Sequence, residues 1–214
     1  MTWNHYYMEM SMENQVNNWR YEKKYPIGTS QFIDFEKILF QSNFLPSYPS
    51  RVINNCYYDN VMWDSFYDNI NGLSTRSKLR FRWYDTAKAK GRMEFKLKQE
   101  DVNTKKYPPF NSVNNTSHWK DLLNSELNHL FPSLINQYER QYFEDFRGNR
   151  LTIDSNLKFA QPTNQIGEEP KFVEFNEFNV IEIKYNSSVN LSDFKLPTPL
   201  LKFSKYVMGI KYIL

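Results

Sequence analysis

One cysteine, Cys56, stands in 214 residues, which excludes an internal disulfide and a cysteine-based zinc site. That scarcity fits a reducing compartment, and Cys56 itself reads as a small buried apolar residue. No apolar run approaches the roughly 20 residues that a membrane helix needs. The polar start MTWNHYYMEM lacks the apolar core of a signal peptide. The expectation is a soluble, cytoplasmic protein with no membrane segment. A dominant charge is missing too: 27 Lys and Arg against 24 Asp and Glu leave +3, too little to argue for a nucleic-acid partner. There is no internal repeat, Gly/Ser linker or charge block to divide the chain, so residues 1–214 read as one domain. No nucleophile motif is evident.

What is present is alternation. Polar and apolar residues take turns in WRYEKKYPI, VINNCYYDN, SKLRFRWYD, RMEFKLKQE, YERQYF, RLTIDSNLKF and NVIEIKYNS, a period that predicts strands of an antiparallel sheet. Helical spacing appears in SQFIDFEKILFQS, with Phe32, Phe35, Ile38 and Leu39 on one side, and in SHWKDLLNSELNHLF, with Trp119, Leu122, Leu123, Leu127 and Leu130. A third helix is expected in LLKFSKYVMGIKYIL, after Pro197 and Pro199.

The strands share a second property. Lys78, Arg80 and Arg82 fall on one face of KLRFRWY, with Leu79, Phe81 and Trp83 on the other. Arg20, Glu22 and Lys24 share a face, as do Glu94, Lys96 and Lys98; Arg150 and Asp154 flank Thr152, and Glu182 and Lys184 enclose Ile183. A half-buried sheet with charges facing water accounts for each strand alone. A barrel covered by helices on its apolar side accounts for all of them together, with the charged faces lining the bore. Buried cations without partners are costly, so such a bore calls for a bound polyanion. Phosphate chains fit, because Arg engages their oxygens bidentately and Lys supplies mobile point charges.

In order along the chain, RYEKKY, YYDN followed by KLRFRWY, MEFKLK, YERQYF, RLTIDSNL, IEIK and KFSKYVMG resemble the VTC-type polyphosphate polymerase domain, a branch of the triphosphate tunnel metalloenzymes. The resemblance implies an α+β fold: a closed antiparallel β-barrel, the triphosphate tunnel, with helices packed around the outside. It turns the cationic face of KLRFRWY inward. It implies catalytic roles for Lys24, Arg80, Arg82 and Arg150, and substrate binding by Lys96, Tyr138, Arg140, Lys184, Ser204 and Lys205. Glu182 matches the family's metal-binding glutamate, for Mn²⁺ or Mg²⁺. The implied reaction is transfer of the γ-phosphoryl group of ATP to inorganic phosphate or a growing polyphosphate chain. Two alternatives stay open: a metal-dependent triphosphatase of the same superfamily, and a non-catalytic polyphosphate-binding module. Glu22, Glu94, Asp154, Lys98, Lys106 and Lys202 are further candidates whose roles one sequence leaves undivided between ion pairing, metal binding and phosphate binding. The wider superfamily's opening Glu-x-Glu-x-Lys is here Arg20, Glu22 and Lys24, a missing carboxylate that suits a polymerase branch richer in cations.

Overall fold

The computed structural model describes residues 20–28, 31–32, 35, 39, 43–100, 102–106, 129–163, 169–185 and 203–214. Nine strands follow the alternation: β1 (Arg20–Gly28), β2 (Leu45–Asp59), β3 (Thr75–Tyr84), β4 (Arg92–Gln99), β5 (Val102–Lys106), β6 (Phe131–Glu144), β7 (Arg150–Ala160), β8 (Val173–Phe175) and β9 (Phe178–Tyr185). Hydrogen bonding runs β6-β2-β3-β4-β5-β1-β9-β7, and β7 pairs back onto β6. All pairings are antiparallel. The ring is therefore a closed eight-stranded barrel, with β8 as a short flap on β7. Eight strands enclose a bore just wide enough for side chains or one small ligand.

The alternation divides inside from outside. Tyr25 and Ile27 of β1, Leu151 and Ile153 of β7, and Ile181 and Ile183 of β9 form one buried cluster with Phe44 and the helical residues Phe35 and Leu39. Leu79, Met93 and Phe95 form another with Tyr58 and Leu130. Each fully buried side chain of this size contributes about 1.5–3 kcal/mol, which holds the strands with their charged faces inward.

Besides the helical residues 31, 32, 35 and 39 and a 3-10 turn at Lys88–Lys90, two α-helices are described end to end, α1 (Asp64–Asn71) and α2 (Lys205–Ile213). α1 starts where it does because Asp59, the last residue of β2, accepts from the backbone N–H groups of Ser65 and Phe66, both at 3.1 Å. Those donors would otherwise be orphaned at the helix start. Gly72, at φ 73°, ends α1 in the left-handed conformation. α2 lays Tyr206 and Ile210 against Leu134, Phe159 and Val180. Gly209 makes the approach possible: a Cβ there would meet Phe159 Cδ1 at 2.5 Å and Leu134 Cδ2 at 2.6 Å. The Tyr206 hydroxyl donates to Asp59 Oδ2 at 2.6 Å, so one carboxylate ties both helices to the barrel.

The helix expected from Ser117 to Phe131 lies mostly outside the described residues, and its last residue, Phe131, opens β6. The C-terminal helix is present from Lys205. α1, β5 and β8 add to the elements read from sequence. No helix among the described residues is long and apolar enough to cross a membrane.

Candidate functional site

The bore holds a cavity of about 430 Å³ reached by side chains of β1 to β6, β9, α1 and α2. Twelve Lys and Arg residues line it against two carboxylates, Glu22 and Glu182. Two further carboxylates, Glu94 and Asp154, are buried in its wall.

β3 supplies the central pair. Arg80 donates from Nε and Nη2 to Glu94 Oε2, at 2.9 and 2.5 Å, across the β3–β4 ladder. Burial works to raise the Glu94 carboxyl, but Arg80, then Arg82 and Lys105, hold it far below the usual carboxylate range. Arg82 has a different anchor: its Nε donates to Asn55 Oδ1 at 2.8 Å, and Asn55 in turn donates to Asn136 Oδ1. Its Nη2 lies 3.4 Å from the Tyr138 hydroxyl. Both guanidiniums are thereby fixed in direction before any ligand arrives.

β6 and β7 supply a second group. Arg140 meets Asp154 bidentately, Nε to Oδ1 at 2.5 Å and Nη2 to Oδ2 at 2.7 Å, and Lys205 also donates to Asp154 Oδ2. Burial opposes ionisation of Asp154, yet Arg140 and Lys205 keep its carboxyl below the ordinary range. Lys205 also sits over the Tyr138 ring.

The third group spans β1, β9 and β4. Glu22 Oε1 accepts from Lys96 at 2.7 Å and pairs with Lys24 at 2.8 Å. Glu182 pairs with Lys184 at 2.6 Å and Lys24 at 3.6 Å. Burial would raise Glu182, but Lys184, Lys24 and Arg140 hold it well below the carboxylate range. Lys96 shows the opposite outcome: burial and Lys24 outweigh Glu22, lowering it to about 8.

Of the residues expected from sequence, Lys24, Arg80, Arg82, Lys96, Tyr138, Arg140, Glu182, Lys184, Ser204 and Lys205 are brought together around this cavity, with Glu22 and Lys98 among them. Arg150 is not. It shares the inward alternation and pairs with Lys184, but it is the first residue of β7. Its side chain is 56% exposed, its Nε 3.8 Å from Glu144 Oε2. The structure therefore does not bring it to the cavity beside Arg80 and Arg82. The backbone of Lys106 pairs in register with Phe95, and its side chain lies outside the described residues; its neighbour Lys105 lines the cavity. Glu94 and Asp154 take ion-pair positions. Lys202 and the side chain of Arg20 lie outside the described residues.

Sequence reasoning passed over Asn55, Tyr57, Asn69, Arg76 and Lys105. Lys105 belongs to a five-residue strand with no apolar rhythm, and Asn55 and Tyr57 carry no charge to mark them. Their alternation within β2 was the available signal.

A divalent cation needs oxygen donors. Among the described residues no group of three or more His, Cys, Asp or Glu is placed to hold one. Glu182 does have a neighbour suited to a hydrated ion: Thr152, directly across the β7–β9 ladder, has a buried Oγ1 with no hydrogen-bond partner. Glu182 with Glu22 nearby fits a cation that keeps its waters and takes phosphate oxygens, as Mg²⁺ does.

Three solved structures share the fold. A Pyrococcus horikoshii protein matches at TM-score 0.53 and 12% identity, over 90% of this chain and 99% of its own. A Hippeastrum protein described as having a dominant triphosphatase activity matches at TM-score 0.51 and 16% identity, over 91% and 97%. A conserved hypothetical protein of Pyrococcus furiosus matches at TM-score 0.51 and 11% identity, over 89% and 99%. Comparison with curated proteins finds no match. The model of the VTC domain matches residues 6–214. With that match over nearly the whole sequence, and a closed barrel whose charged strand faces turn inward, the chain belongs to the VTC domain family.

Proposed function

We propose that the protein transfers the γ-phosphoryl group of ATP to inorganic phosphate or to the end of a polyphosphate chain within the barrel. The observation that carries this reading is the excess of cations around a cavity of about 430 Å³ in the barrel. Phosphoryl transfer asks little covalent chemistry of protein groups; positioning and charge neutralisation supply most of the catalysis. Arg80 and Arg82 hold and neutralise the transferring group, directed by Glu94 and Asn55. Arg140, Lys205 and Ser204 bind the flanking phosphate from the α2 side. Lys24, Lys96 and Lys184 bind phosphate oxygens around the carboxylates. Glu182, with Glu22, would hold Mn²⁺ or Mg²⁺, which when bound adds Lewis-acid polarisation of phosphate oxygens.

A second reading, hydrolysis of triphosphate, is supported by the fold shared with the Hippeastrum protein. The same tunnel would pass the phosphoryl group to water. Incubation of the pure protein with ATP and Mn²⁺, followed by a gel that resolves polyphosphate, separates the readings. A ladder of chain products is expected. Free phosphate without chains would install the triphosphatase reading, and binding without turnover would leave a polyphosphate-binding module.

A further inference from the structure

The inward rows of β3 and β6 end on aromatic side chains. Arg82 is followed two residues on by Tyr84, and Arg140 by Tyr142, so both rings continue faces whose cations line the cavity. β2 completes the group: Arg51 pairs in register with Arg140, and Tyr48 with Tyr142. The Arg51 guanidinium lies over two rings, 5.8 Å from the centre of Tyr48 and 5.7 Å from that of Tyr84. Tyr142 meets Tyr48 edge-on, with their ring centres 6.2 Å apart. This cluster sits at the rim of the barrel away from the helices. Asp59, to which α1 and α2 are both tied, ends β2, whereas Tyr48 and Arg51 stand in its first half.

Packing alone leaves this group unfinished. Tyr48 is 63% exposed, so most of its ring stays open to a partner. Among the described residues Arg51 has no carboxylate within ion-pair distance. Across the ladder it faces the like charge of Arg140, an arrangement that costs stability. Aromatic rings and guanidinium planes are the two surfaces on which nucleobases stack. Position agrees with that chemistry. Alternate residues of a strand stand about 7 Å apart, so Tyr142 lies one such step beyond Arg140, a span suited to the ribose between a phosphate and its base. Resting on the phosphate-tunnel reading above, we propose that Tyr48, Arg51, Tyr84 and Tyr142 form a stacking subsite for the nucleobase of a nucleoside triphosphate whose phosphates lie in the bore. The rim then adds affinity for a nucleotide that inorganic tripolyphosphate cannot gain.

Calorimetric titration of the full chain with ATP and with inorganic tripolyphosphate, in metal-free buffer, tests this in the wild type, Tyr48→Ala and Tyr48→Phe. Because the Tyr48 ring is largely exposed, both variants should keep the fold. Tyr48→Ala should weaken ATP about tenfold, a typical worth of one base–aromatic stack, and leave tripolyphosphate unchanged. Tyr48→Phe keeps the ring and should bind both ligands as the wild type does. An equal loss for both ligands in Tyr48→Ala would make Tyr48 a support of the rim and overturn the subsite. Unchanged ATP affinity would overturn it too, and so would a loss that Tyr48→Phe shares, because the hydroxyl and not the ring would then be the contact. If the wild-type protein bound neither anion, the tunnel reading itself would fall. Tripolyphosphate bound without ATP would keep that reading and overturn the base subsite alone.

Discussion

Where β1, β9 and β7 meet, opposite charges face one another across β1 and β9, Glu22 with Lys184 and Lys24 with Glu182; neutral Thr152 faces Glu182, and Arg150, opposite Lys184, is exposed. Where β3, β4 and β5 meet, Arg76 faces Lys98, Lys78 faces Lys96 and Lys96 faces Lys105, with Glu94 the acid set opposite Arg80. The first wall neutralises itself; the second accumulates charge. Self-neutralisation lets buried ions persist without a ligand, so the β1–β9–β7 wall is preformed and suited to hold a cation through its carboxylates. The β3–β4–β5 wall is the one whose energy falls most when a polyanion arrives.

The most damaging test of this contrast is Arg82→Ala. Its strongest anchor is the neutral Asn55, so removal leaves the Arg80–Glu94 pair standing and the barrel should stay folded by circular dichroism. Turnover should drop about 10²–10³-fold, the usual loss when a preorganised charge-stabilising donor is removed. Full activity would show that the cationic wall is not where charge develops.

Glu182→Gln attacks the other wall. It keeps the shape and removes the charge, so Mn²⁺-dependent turnover should fall about 100-fold, several kcal/mol of metal assistance. Triphosphate binding without metal should persist or tighten, because one repulsive carboxylate is gone. Unchanged metal dependence would return Glu182 to a purely structural pair with Lys184 and Lys24.

Ligand-linked stability sharpens the comparison. Triphosphate at about 100 times its Kd should add about 2.7 kcal/mol, or roughly 5–10 °C in Tm for a chain of this size. Chloride at equal ionic strength should not reproduce the shift, and equality would argue against an enclosed anion site.

The smallest effect is in pH. Lys96 is lowered to about 8 in the fold against an ordinary 10.5, so in that window the unfolded chain binds more protons than the folded one. Stability of the ligand-free protein should therefore rise with pH above about 8. Cys56, which burial raises to about 12 from 9, works in the opposite direction above 9, so urea melts between pH 7.5 and 9 read the lysines, to which Lys78 and Lys105, also lowered by burial, contribute beside Lys96. Lys96→Met should reduce that slope, and an unchanged slope would show that Lys96 does not contribute to it.

Seven of the nine strands were legible from alternation: inner charge and outer apolar residues keep period two through β3, β4 and β9, and β1 departs from it at Lys23. β5 was not: Val102–Lys106 is polar on both faces, and only its neighbours β4 and β1 make it a strand. α1 was missed because DSFYDNIN is rich in turn-forming Asp and Asn, and its start depends on Asp59, five residues earlier. The site was legible where it depends on face and lost where it depends on depth. Alternation puts Arg150 on the inward row, but no local pattern states that β7 begins there. Position along the barrel axis is set by pairing with distant strands.

The return of β7 onto β6 has a kinetic meaning apart from stability. A closed ring has no free edge that can peel aside, so a linear polymer lodged in the bore moves only along its own contour, by reptation. Escape then requires sliding each bound segment past every cation ahead of it. Under the polyphosphate reading proposed above, dwell time should grow with polymer length more steeply than equilibrium affinity does, and a fixed wall would then be a means of processivity.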